Sequence, residues 1–274
     1  MRVTVLVENT VGRPMRLFGE HGLSLWVEYE GHRLLFDTGH RGAVVANAVC
    51  LGVDLRTAEA VVLSHGHCDH TGGLRDVLEF IGRRIPVYGH PEIFSGHRVT
   101  SPTDRYVGIP FAREELEDAG AKFVWVREPR ELFPGLWLSG EVPRRTPFEK
   151  GDARMYVYRE TERVPDPLAD DLSLYAVTPA GLVVLLGCAH AGVANIVEHA
   201  REVTGVGKVA AVLGGTHLAP VDAVQLDNTV SYLKELGLDL LAANHCTGLP
   251  VAARLAGVFG ERFRFASTGE TFTF

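Results

Sequence analysis

Residues 2–7 alternate between the two faces of a strand and are rich in β-branched side chains, which predicts a first β-strand. Further strands are predicted at 25–29 and 33–36, joined by the turn Glu30-Gly31-His32, and at 60–63 and 85–88. A polar stretch around Gly12, Pro14 and Gly19 reads as loop. Helical spacing marks 43–51, closed by Gly52, then 74–82 and a shorter segment at 112–120. The second half repeats the theme, with strands at 121–125, 136–138, 170–177, 182–186, 208–213, 238–243 and 263–265. Helices are expected at 193–204, 221–236 and 249–259. The polar, proline-containing stretch 160–167 reads as a connection opening the second half. Strand–loop–helix units in both halves predict an α/β fold, a four-layer αββα sandwich forming one domain over 1–274.

Composition narrows the class without naming it. The chain is 46% hydrophobic and 22% charged, which suits a globular protein with an extensive core. A net charge of -7 argues against binding nucleic acid through a broad basic face. No apolar run approaches the ~20 residues that span a bilayer, and 1–7 reads as a strand rather than a signal peptide. Cys50, Cys68, Cys188 and Cys246 show no Cys-x-x-Cys pair, and three of them fall in histidine-rich motifs. Reduced thiols near a metal, in a cytoplasmic protein, are expected over a disulfide framework. The expected partner is a small-molecule substrate, with homo-oligomerisation open and neither nucleic acid nor membrane involved.

The densest chemistry lies at 63–73, Leu-Ser-His-Gly-His-Cys-Asp-His-Thr-Gly-Gly, immediately after an apolar strand. Imidazole nitrogen and carboxylate oxygen are the donors that zinc and similar borderline cations accept. His65 and His67 flank a glycine and can point the same way, with Asp69 and His70 coming round the turn. Later strands also end at histidines: Gly187-Cys188-Ala189-His190, Gly214-Gly215-Thr216-His217 and Asn244-His245-Cys246. No Gly-x-Ser-x-Gly elbow or Walker-type phosphate loop is present, so a metal-activated water is the simplest nucleophile.

His65-x-His67-x-Asp69-His70 resembles the signature of the metallo-β-lactamase superfamily. The resemblance implies two adjacent divalent metals, Zn2+ first and Mn2+ or iron as alternatives. His65 and His67 would serve the first, with Asp69, His70 and His245 on the second, and Asp69 also carries a catalytic role. The Asp-Thr-Gly at 37–39 corresponds to a segment beneath the metal loop, which makes Asp37 an orienting residue. Where many members carry a Gly-His ligand motif, this chain has Gly140-Glu141. The missing first-metal ligand is therefore assigned to His190, with Glu141 and Cys188 as alternatives. His21, His90, His217, Arg105 and Tyr106 are candidate substrate contacts. Members of the superfamily commonly cover the site with inserted loops, here 91–112, where aromatic and arginine side chains suit a flat ring bearing an anionic group.

The set Glu20-His21-Gly22-Leu23-Ser24, 187–192, 214–218 and 245–248 resembles a subgroup labelled 7,8-dihydropterin-6-yl-methyl-4-(β-D-ribofuranosyl)aminobenzene 5′-phosphate synthase-like. A site that activates water fits hydrolysis of a phosphoester or pterin-related compound more directly than a condensation. A binuclear metal-dependent hydrolase is thus expected, with the synthase as the alternative. An iron-dependent redox enzyme ranks below both: the diiron oxygen reductases of this fold carry a carboxylate where His67 stands, and a flavin domain besides.

Overall fold

The computed structural model describes residues 1–13 and 16–274, so the loop reading at Pro14 lies outside the described residues. The chain divides into two compact units, 1–126 with 152–170 and 267–273, and 127–151 with 171–266 and 274.

The first unit is built on a seven-stranded sheet, in the order Thr271–Thr273, Arg2–Val7, Ser24–Tyr29, His32–Phe36, Ala60–Val62, Ile85–Gly89 and Ala121–Trp125. Its early strands pair antiparallel, whereas His32–Phe36, Ala60–Val62, Ile85–Gly89 and Ala121–Trp125 run parallel. Parallel neighbours require crossovers, and the helices Ala43–Cys50, Leu74–Ile81 and Arg113–Asp118 lie in those connections. Val44 and Ala48, then Leu74, Val77, Leu78 and Ile81, supply the apolar stripes that pack on Leu6, Leu35, Val61 and Val87.

A second sheet of this unit overturns one expectation. The stretch read as a connection at 160–167 belongs mostly to a hairpin, Met155–Arg159 with Glu162–Pro165, inside the first unit. It extends through Arg98–Val99 to Arg105–Tyr106. Tyr156 and Val157 are buried while the returning strand is an exposed edge, where charge and a terminal proline are tolerated.

The second unit repeats the plan. Its strands run in the order Phe263–Phe265, Leu240–Asn244, Val209–Gly215, Gly181–Leu186, Leu174–Thr178, Leu136–Leu138 and Arg130–Phe133. The four from Gly181–Leu186 to Phe263–Phe265 are parallel and nearly continuous in apolar residues, as strands buried on both faces must be. Helices Val193–Thr204, Ala223–Glu235 and Leu249–Phe259 pack Ile196, Val197, Leu233, Leu255 and Phe259 onto Val184, Leu186, Val212 and Leu241. Among the described residues no helix is long and apolar enough to cross a membrane.

Candidate metal centre

In both units the ligand-type side chains follow the carboxyl ends of parallel strands, where open α/β sheets present their sites. In the first unit Ala60–Val62 runs into Ser64 and His65, and His67 begins the one-turn helix Cys68–Thr71. The loop is tied down by its backbone. Gly66 N–H donates to Asp170 Oδ2 at 2.7 Å, and Cys68 N–H donates to the Val107 carbonyl at 2.8 Å. The His70 carbonyl accepts from the N–H and the hydroxyl of Thr38 at 2.8 and 2.9 Å. Gly66 must be glycine, because a Cβ there would run into the Ile93 carbonyl and the His97 ring.

Asp37, fully buried and held at φ 61°, organises the imidazoles. Its carboxylate accepts from Ser64 N at 2.7 Å, Ser64 Oγ at 2.7 Å and His70 Nδ1 at 2.7 Å. The Ser64 hydroxyl proton is thereby committed, so Ser64 Oγ is the acceptor for His65 Nδ1 at 2.9 Å. Both rings are left with Nε2 as the lone-pair nitrogen, the arrangement in which a carboxylate behind an imidazole sets its tautomer for metal binding. His65 Nε2 and His67 Nδ1 converge to 2.9 Å. Two nitrogens on one tetrahedral zinc stand about 3.3 Å apart, so a cation fits this donor set. Asp69 is part-exposed, its Oδ2 3.2 Å from His21 Nε2 and 3.9 Å from His70 Nε2.

Beside this loop lies a charged pair that no local motif announces. His97 donates through Nδ1 to Asp166 Oδ2 at 2.6 Å, and its Nε2 is 3.2 Å from Asp170 Oδ2. Burial disfavours charge on His97, but the two carboxylates outweigh it and raise the ring to about 10. Burial also works against Asp170, and the His97 cation with the Gly66 N–H brings its carboxyl below the usual range. His67, 5.3 Å from His97 between ring centres, is lowered to about 4 by burial and by that neighbouring cation. His67 is therefore neutral at physiological pH, as a ligand must be.

The second unit delivers donors from three successive parallel strands. Cys188 and His190 follow Gly181–Leu186, His217 follows Val209–Gly215, and His245 with Cys246 follows Leu240–Asn244. The Cys188–Ala191 turn is pinned by Asp171 Oδ2, which accepts Ala191 N–H at 2.8 Å, and by Arg144, which donates to the His190 carbonyl at 2.6 Å. Glu149 accepts the N–H groups of Ala194 and Asn195 at the start of the following helix, both at 2.9 Å. Cys188, His190 and His217 bring donor atoms within 4.8 Å of one another, as do Cys188, His245 and Cys246. Burial pushes the Cys246 thiol up, but hydrogen bonding with Cys188 and His217 and the neighbouring His245 pull it well below its ordinary value.

The other sequence candidates fall elsewhere. Glu141 is exposed and paired with Arg127 at 2.6 Å, and joins none of the metal-sized donor groups among the described residues. His90 is buried and accepts the Glu92 N–H through Nδ1 at 3.1 Å, closing the turn Pro91–Phe94. Arg105 and Tyr106 are exposed on the short strand next to the metal loop, where Tyr106 donates to the Ile109 carbonyl at 2.7 Å. Ser64, His97, Asp166 and Asp170 are not among the candidates the sequence offers, whereas Cys246 is already expected as a thiol near a metal from its position directly after His245.

Residues 17–202 match the model of the metallo-β-lactamase superfamily, and the chain belongs to that superfamily. Fold and donor chemistry together mark a metal-dependent class. Across 100% of its length the chain is 31% identical to the 7,8-dihydropterin-6-methyl-4-(β-D-ribofuranosyl)-aminobenzene-5′-phosphate synthase of Methanocaldococcus jannaschii, 97% of which is covered. Tm1679, a metal-dependent hydrolase of the β-lactamase superfamily known from its crystal structure, superposes with a TM-score of 0.84 at 28% identity, covering 100% of this chain and 99% of that one. A shorter match, 38% identical over 145 residues, joins 52% of this chain to 40% of the ribonuclease Z of Methanopyrus kandleri.

Proposed function

We propose that this protein is a binuclear metal-dependent hydrolase of a small-molecule substrate, a phosphoester or a pterin-related compound. His65, His67, Asp69, His70, His190 and His245 are the ligands in this reading, and Zn2+ is the first choice of metal. The observation that carries it is the tautomer control at the first loop: Asp37 and Ser64 commit the Nδ1 atoms of His70 and His65, leaving Nε2 lone pairs for a cation. When bound, the ions supply Lewis acidity that activates water near neutral pH. The chain's own part is to orient and to move protons. Asp37 holds His70, Asp170 holds the Gly66 N–H, and burial with the neighbouring His97 cation keeps His67 neutral. Asp69 Oδ2 takes up the proton released by water and passes it to His21 Nε2, 3.2 Å away on a side chain 67% exposed to solvent.

The relationship to the Methanocaldococcus jannaschii synthase supports a second reading, condensation of a pterin with a phosphorylated ribosylaminobenzene. The two are separated by assaying metal-loaded protein on phosphodiesters and on the two condensation substrates. Metal counting by mass spectrometry accompanies the assay: about two zinc ions per chain, falling toward one in His190→Ala, is the expected result. Condensation without phosphodiester turnover would replace the hydrolase by the synthase. An unchanged metal count in His190→Ala would remove His190 from the ligand set.

A further inference from the structure

We infer that the first unit carries a second ligand site, a polar cavity walled by Arg2, Arg13 and Arg33 that takes a phosphate dianion, free or carried on a small molecule. The cavity measures about 290 Å³ and lies at the amino ends of the strands Arg2–Val7 and His32–Phe36. His32–Phe36 runs on to Asp37 beneath the metal loop, so the two sites stand at opposite ends of one strand.

The register of the sheet builds the site. Arg2 pairs across the strands with Glu28, Glu28 with Arg33, and Thr4 with both Trp26 and Thr271, so these side chains share one face. Higher on that face Trp26 and Leu35 join Val44 and Ala48 of the helix Ala43–Cys50 in the core. The helix ends at Leu51, the turn through Gly52 to Asp54 rims the cavity, and below it the same face turns polar. Thr4, only 4% exposed, lines the cavity with its Oγ1 3.3 Å from Thr271 Oγ1. Two hydroxyls hold two protons and only one lies between them, so this pair can donate to a bound oxyanion.

The arginines are loosely held. Glu28 is shared between Arg2 Nη1 at 3.4 Å and Arg33 Nε at 3.9 Å, and Arg13 Nε stands 3.4 Å from Glu270. A committed charge-assisted bond is shorter, about 2.7–2.9 Å. Asp54, also on the rim, is already engaged by Arg56 through two contacts at 2.8 and 3.1 Å. One carboxylate between two half-exposed guanidiniums leaves an excess of positive charge, and each planar fork matches two phosphate oxygens at a time. A volume near the lower end of small-molecule sites, about 300 Å³, limits whatever the phosphate carries to a small group.

The test is phenylglyoxal modification of arginines in the full-length protein, mapped by peptide mass spectrometry with and without about 1 mM inorganic phosphate at constant ionic strength. Arg2 and Arg33 should react roughly threefold or more slowly when phosphate is present. Arg75, a half-exposed arginine of the same unit paired with Glu79 at 2.9 Å, should react at an unchanged rate. Glycerol phosphate should protect as inorganic phosphate does, and glycerol should not. Protection by inorganic phosphate alone would confirm the site and confine it to the free ion. Unchanged rates at Arg2 and Arg33, or the same slowing at Arg75, would refute it. Calorimetric titration with inorganic phosphate gives an independent count. The double variant Arg2→Gln/Arg33→Gln should bind one phosphate fewer than wild type at unchanged metal content. Phosphate held by a metal would remain in that variant, which separates the two sites, and an equal count in variant and wild type would overturn the inference.

Discussion

Asp37 Oδ2 stands 2.7 Å from His70 Nδ1, with both side chains fully buried. The same carboxylate accepts from the backbone and hydroxyl of Ser64, and Ser64 in turn meets His65. One acid beneath the loop thus sets the orientation of two imidazoles above it. Asp37→Ala is expected to weaken metal binding by about ten- to a hundredfold, the usual effect of removing a residue that orients a ligand. Competition against a chromophoric chelator measures it. The metal-free variant should also lose about 3–5 kcal/mol of unfolding free energy, because three donors lose a buried acceptor. Wild-type affinity in this variant would show that the imidazoles are oriented by something else.

Asp170 has two duties, pairing with His97 and accepting the Gly66 N–H. Breaking a buried ion pair by removing one partner costs about 3–5 kcal/mol, since the remaining charge stays desolvated. Asp170→Ala should show a loss of that size in urea unfolding of the chelated protein. The double variant with His97→Ala should lose less than the sum of the two single changes, because no stranded cation remains. Strict additivity would mean the pair is not coupled.

What the sequence disclosed and what it concealed divide by distance along the chain. His65, His67, Asp69 and His70 lie within six residues, and the preceding apolar strand locates them at a sheet edge, so local reasoning suffices there. His97 finds Asp166 across 69 positions, which no periodicity reveals. The stretch 160–167 reads as a connection because the outer strand of the hairpin, Glu162–Pro165, is an exposed edge of charge and proline. Arg130–Phe133 and Thr271–Thr273 escaped for a related reason: short edge strands carry little apolar patterning. Glu141 drew attention because it follows a glycine where relatives carry a histidine, yet its carboxylate serves Arg127.

Glu149 supports the loop that bears Cys188 and His190 from the far side, accepting two N–H groups at the start of Val193–Thr204. Its Ala variant should lose about 1–2 kcal/mol, the range for an N-terminal cap. Burial pushes the Glu149 carboxyl above its ordinary value, and the backbone N–H bonds pull it only part of the way back. Folding therefore favours the protonated acid, so this group's contribution is full at low pH and declines as pH rises from the unfolded carboxyl value through the raised folded one. Glu149→Gln keeps an acceptor oxygen without the charge and should lack that decline. Parallel pH profiles for Glu149→Gln and wild type in chemical denaturation would rule the argument out.

The strand Arg105–Tyr106 lies beside the metal loop, since Val107 accepts the Cys68 N–H and Val107 N–H donates to the His97 carbonyl. A segment tied so directly to the loop cannot shift without moving His67 and Cys68, whereas its exposed side chains are free to vary. Arg105 is the cationic side chain this strand presents. If the substrate carries a phosphate, its guanidinium supplies the paired donors that such a group prefers. Arg105→Ala should then raise KM several-fold for phosphorylated substrates, about 1 kcal/mol of lost binding, with kcat and metal content nearly unchanged. Arg105→Lys should recover part of the loss, keeping the charge but not the fork. A fall in kcat with constant KM would instead place Arg105 in the chemical step, and no kinetic change in either variant would remove it from the substrate's path.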